Sequence, residues 1–133
     1  MLEHERWLEV AKRDLKDARL LCKGGSFPLA TYQAQQAAEK ALKTYLIFKQ
    51  QEFLKVHDLI KLSDLCKKFD RDFQQLDIEL KMLNPFATKF RYPSEFDLPD
   101  LNDAKLAIKQ AESVMNFVLK KISEPIVGQM EIR

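Results

Sequence analysis

Glycine and proline are scarce in this sequence, with three and five residues among 133. So little turn-forming material excludes a fold of many short elements and implies long elements with few connections. The only two cysteines, Cys22 and Cys66, are far apart and sit in no C-x-x-C pattern. No histidine stands at zinc-finger spacing from them, so neither a disulfide framework nor a structural metal is expected, and a reducing cytoplasm is the default compartment. Neither sign of charge dominates: 22 basic against 20 acidic residues leave a formal charge of +2, which by itself establishes no nucleic-acid or membrane partner. The N-terminus is charged and no apolar run reaches membrane-spanning length, so the chain reads as neither exported nor inserted.

Chemistry-bearing motifs are missing too. The glycine-rich fingerprints G-x-G-x-x-G and the P-loop are absent. His4 and His57 do not form a metal-ligand pair, and the E-x-x-H element of di-iron bundles does not occur. Neither cysteine adjoins a histidine or lysine, and no serine sits in a nucleophile elbow. The sequence therefore carries no complete catalytic site and calls for no cofactor.

What is present is helical periodicity. Leu8, Ala11, Leu15, Ala18 and Cys22 recur at three and four residues and predict a first helix over 3 to 23, ended by Gly24 and Gly25. Ser26 is the expected cap of a second helix, roughly 27 to 50, with Pro28 in its first turn. Its stripe of Ala30, Ala34, Ala37, Ala38 and Ala41 admits a close neighbour and places this helix at the centre. Asp58 caps a third helix, about 58 to 69, with Leu59, Leu62, Leu65, Cys66 and Phe69 inward; a fourth, about 71 to 84, stops at Asn84-Pro85. The prolines at 85, 93 and 99 predict a long loop over 85 to 100. Asp100 or Asn102 caps a last helix whose apolar face includes Leu106, Ala107, Ala111, Val114 and Val118. The expected fold is an all-α, up-and-down antiparallel bundle of about five helices over residues 1 to 124, followed by a C-terminal tail over 125 to 133.

Three groups of polar residues invite a functional reading. Lys12, Lys16, Arg19 and Lys23 align on one ridge of the first helix that could follow a phosphate backbone, although a charge row on a bundle helix is usually solvated surface. Gln35, Gln36, Glu39, Lys40 and Lys43 flank the alanine stripe, where close packing desolvates some of them and a desolvated charge needs a partner. In the long loop, Lys89-Phe90-Arg91-Tyr92-Pro93 joins cations to aromatics, a combination that can hold an anion and stack a base. Arg91 reads either as a structural ion pair with Glu39 or as a ligand contact, and His57 as a cap-region residue or a ligand.

Taken in order, Asp14-Leu15 to Leu21 with a following glycine, Gln35-Gln36-Ala37-Ala38-Glu39-Lys40-Ala41-Leu42-Lys43, His57-Asp58-Leu59 and Arg91-Tyr92-Pro93 resemble the HEPN domain family over about residues 5 to 122. The resemblance implies a helical bundle that pairs as a homodimer. It also implies an accessory role, binding a nucleotide or acting beside a minimal nucleotidyltransferase, in some cases as a toxin–antitoxin-type pair. Carried over residue by residue, it points to Lys40, Lys43, His57, Arg91 and Tyr92 as nucleotide or anion contacts. Some branches of the family are metal-independent ribonucleases with an Arg followed four to six residues later by a His. Here Glu95, Phe96 and Asp97 occupy those positions after Arg91, so a nuclease would have to combine Arg91 and His57 across the fold or across a dimer. A purely structural dimerisation or adaptor domain is the remaining alternative.

Overall fold

A computed structural model describes residues 1–52, 55–89 and 98–132. Helix α1 spans Glu3–Lys23, α2 Phe27–Phe48, α3 Leu59–Lys67, α4 Asp77–Leu83, α5 Phe86–Lys89 and α6 Leu101–Ile132, with a 3-10 helix over Arg71–Leu76. Among the described residues there is no strand, and no helix is long and apolar enough to cross a membrane. The all-α bundle expected from periodicity is the fold observed.

The helix ends follow local chemistry. At the close of α1 the Ser26 amide donates to the Leu21 carbonyl at 2.9 Å and the Gly25 amide to Cys22 at 3.1 Å, the Schellman pattern. It needs a left-handed residue, and Gly25 supplies it with φ 82°. The same pattern closes α2, with Gln51 donating to Leu46 and Gln50 to Ile47, each at 2.8 Å; there Gln50 adopts φ 58° without glycine's freedom. Asp58 caps α3 as expected, accepting from the amides of Ile60 and Lys61 at 2.8 and 3.1 Å. Asp100 caps α6 and Asp103 returns the bond, a reciprocal pair of 2.9 and 3.0 Å. Ser26, by contrast, makes no side-chain cap bond; its carbonyl only accepts the Ala30 amide.

α2 touches every other helix. Ala34, Ala37, Ala38 and Ala41 are fully buried, as are Ala11 and Ala18 of α1 and Ala107 and Ala111 of α6, so methyl-sized contacts line both its interfaces and let the backbones approach closely. A helix surrounded this way buries its polar positions as well. Thr31 and Thr44 satisfy their hydroxyls on the helix's own carbonyls of Pro28 and Lys40, whereas Gln35, Glu39 and Lys43 need side-chain partners.

Five expectations change. The predicted fourth helix divides into the 3-10 turn and α4, because Phe73 and Leu76, three apart, eclipse on a 3-10 helix and bury together. Phe73 packs against Tyr45 and Phe117, with ring centroids 4.5 and 4.9 Å away, whereas Phe69, expected inward, lies beyond the end of α3 and is exposed. Leu106 is likewise exposed. The expected loop over 85 to 100 begins with the short α5, since a proline is tolerated where a helix starts. The backbone of α6 continues through Pro125 to Ile132, where the sequence suggested a separate tail.

Candidate functional site

The polar groups of α2 converge on the segment before α3. Glu39 and Lys43 are one turn apart, and their side chains are 3% and 4% exposed, with Lys43 Nζ 2.9 Å from Glu39 Oε2. His57 Nδ1 lies 3.1 Å from the same oxygen and 3.4 Å from Lys43 Nζ. A carboxylate only accepts, so the bond from His57 requires the proton on Nδ1 and leaves Nε2 as the second functional nitrogen of the ring. The imidazole itself is 70% exposed. Lys43 Nζ also stands 5.7 Å from the centre of the Trp7 ring, a cation–aromatic contact from α1.

Lys40, on the adjoining face, donates to Asp14 Oδ2 at 2.9 Å and to Gln36 Oε1 at 3.3 Å. Gln36 in turn donates to Gln35 Oε1 at 2.7 Å. The two lysines of the candidate set are therefore engaged with carboxylates, and His57 is the group among Lys40, Lys43 and His57 with the most exposed surface.

His57 is positioned by a clamp. The Leu59 amide donates to Asn84 Oδ1 at 2.9 Å, and Asn84 Nδ2 donates to Asp58 Oδ2 at 3.2 Å. Asn84 thus ties the two residues after His57 to the start of α5, whose Ala87 and Thr88 form the opposite rim. Between them opens a cleft of about 490 Å³ lined by Trp7, Tyr32, Gln36, Glu39, Lys40, Lys43, His57, Ala87 and Thr88, a size at which pockets accept small organic ligands.

Burial alone would raise the Asp58 carboxyl, but the amides of Lys61 and Ile60 and the Asn84 side chain together hold it below its ordinary value of 3.8. Asp70 is lowered similarly: burial opposes, but the Asp72 amide and Lys121 prevail. A carboxyl lowered on folding contributes stability above its unfolded pKa and loses it as pH falls through the folded one. The urea midpoint should therefore drop as pH falls below about 4, and Asp58→Ala should lower it at neutral pH by the equivalent of about 1 kcal/mol while flattening that acid dependence. An acid profile identical in Asp58→Ala and wild type would contradict this.

Glu39, Lys40 and Lys43 of α2 and His57 of the segment before α3 line one cleft. Arg91 and Tyr92, and hence the Glu39–Arg91 pair, lie outside the described residues. Trp7 and Tyr32 were not singled out as site residues, because an aromatic at helical spacing reads first as core; that Trp7 is only half-buried depends on the α1–α2 register. Among the described residues no group of three or more His, Cys, Asp or Glu side chains could hold a metal ion.

The sequence profile of the HEPN domain matches residues 4–122. The crystal structure of TT1696 from Thermus thermophilus is similar over 91% of this chain and 99% of its own, at 25% identity and a TM-score of 0.76. ST0689, described as an archaeal HEPN homologue, is similar over 92% of this chain and 100% of its own, at 27% identity and a TM-score of 0.69. No curated protein matches the sequence.

Proposed function

The chain belongs to the HEPN domain family, and from that premise we propose that it is a non-catalytic binding module that takes a nucleotide in the cleft between α1, α2 and α5 and works beside a nucleotidyltransferase partner. A homodimer and a toxin–antitoxin-type pairing belong to the same reading, and both rest on the family alone. The observation that supports ligand binding is the cleft itself: aromatic groups from Trp7 and Tyr32, the amide of Gln36, and a buried carboxylate holding Lys43 and His57 on one oxygen. A base fits such walls by stacking and by its polar edge. Lys40 and Lys43, each already paired with a carboxylate, flank the bound anion on this reading, while exposed His57 makes the direct contact to a phosphate. Arg91 and Tyr92 complete the proposed contacts.

Calorimetric titration with adenosine monophosphate tests this. Binding is expected, and Arg91→Ala and His57→Ala should each weaken it about tenfold, as loss of one charge-assisted hydrogen bond would. Unchanged affinity in both variants would remove the proposed site.

A second reading is favoured by the Glu39–His57 contact, because a buried carboxylate on Nδ1 orients an imidazole as an acid–base group. On that reading the protein cleaves RNA without metal. Incubation with RNA in the presence of a chelator should then give cleavage that His57→Ala abolishes, and intact RNA at high protein concentration refutes it.

A further inference from the structure

Past Trp7 the cleft continues into a second, shallower hollow of about 280 Å³, lined by Arg6, Trp7, Val10 and Lys40. Trp7 and Lys40 belong to both walls. The two hollows differ in chemistry. The first presents Gln36, Glu39, His57 and Thr88, groups that distinguish donors from acceptors. The second is apolar. Val10 stands three residues after Trp7 and four after Arg6, on one face of α1, and the indole, the Val10 methyls and the stems of Arg6 and Lys40 make its surface. The Lys40 ammonium is held by Asp14 at 2.9 Å, so that residue offers the hollow a stem. Arg6 is exposed at the rim.

Charge narrows the ligand further. Lys40 is balanced by Asp14 and Lys43 by Glu39, which leaves Arg6 as the fixed cation without a carboxylate partner among the described residues lining the two hollows. A single phosphate lying between the two hollows would face that guanidinium. An apolar platform with a guanidinium beside it suits the flat face of a base next to a phosphate.

We propose that the ligand is a dinucleotide unit, two bases joined by a single phosphodiester. One base lies in the polar hollow and is read by its edge. The second stacks beside Val10 and Trp7 without edge readout, and Arg6 faces the linking phosphate. The site is then selective for one base and tolerant of its neighbour. This inference rests on the nucleotide reading above and specifies its ligand class.

Trp7 is the only tryptophan in the sequence, so intrinsic fluorescence of the full chain reports on the wall shared by both hollows. Adenylyl-adenosine should bind about tenfold more tightly than adenosine monophosphate, the gain of one added stacked base. Val10→Glu should abolish that gain and leave adenosine monophosphate unaffected. Should Val10→Glu fail to fold by circular dichroism, the isosteric Val10→Thr should reduce the gain in the same direction. Exchanging one base of the dinucleotide should change affinity strongly, and exchanging the other only slightly. Equal affinity for the mono- and dinucleotide, or a Val10 variant that weakens both alike, would overturn the dinucleotide inference while the nucleotide reading stands. Absence of any nucleotide binding would overturn both.

Discussion

Glu39→Ala is expected to cost about 3–5 kcal/mol of unfolding free energy, because it removes the carboxylate partner of a buried lysine. The side chains of Glu39 and Lys43 are 3% and 4% exposed, so water cannot replace the lost partner as it would at a surface pair. The alanine also leaves a gap where α2 is enclosed by its neighbours. Lys43→Met added to Glu39→Ala should recover a large part of the loss, since the penalty arises from the orphaned charge. Urea titration of the two single variants and the double variant measures this coupling directly. A cost below about 1 kcal/mol for Glu39→Ala would be that of an exposed pair and would place the cluster in solvent.

Phe73→Ala should be as costly, about 3–5 kcal/mol, for a different reason. Phe73 is fully buried and joins the 3-10 helix to α2 and α6 through Tyr45 and Phe117. Its removal leaves a cavity that cannot collapse easily, because Lys121 of α6 pins the same turn through Asp70 and Asp72 at 3.0 and 2.7 Å. None of these residues lines the cleft. Where the variant remains folded, its affinity for adenosine monophosphate should therefore equal that of the wild type. A variant with near-native stability in urea would show that this aromatic cluster contributes little.

The fold was legible where local chemistry and periodicity agree. The paired glycines after Lys23, the Asp58 cap and the alanine stripe each dictate their element, and α1, α2 and α3 lie within a few residues of their expected bounds. The segment after Asp70 was not legible in the same way, because apolar residues three and four apart fit an α-helix and a 3-10 turn equally, and only tertiary burial of Phe73 decides between them. Pro85 misleads for a related reason: an X-Pro step argues against helix before the proline, yet Asn84 takes helical angles there, with φ −53° and ψ −43°, while its side chain is held by Leu59 and Asp58.

At the site, the charged positions of α2 were recognisable beside the alanines, since a central helix has no solvated face to spare for Glu39 and Lys43. The nearness of His57 was not, because it depends on how far the connection after α2 returns. The Asn84 clamp that fixes His57 is a tertiary contact between residues 25 apart and leaves no local signal. Trp7 becomes a cleft wall only through the rotation of α1 against α2.

The central claim is that buried Glu39 holds His57 at the edge of a ligand cleft. Nitrogen-correlated NMR of the imidazole rings tests it most directly, with only His4 and His57 to assign and His4→Gln to separate them. At alkaline pH, His57 should carry its proton on Nδ1, lose that preference in Glu39→Gln, and shift on addition of adenosine monophosphate. An Nε2-protonated ring indifferent to both the substitution and the nucleotide would contradict the claim.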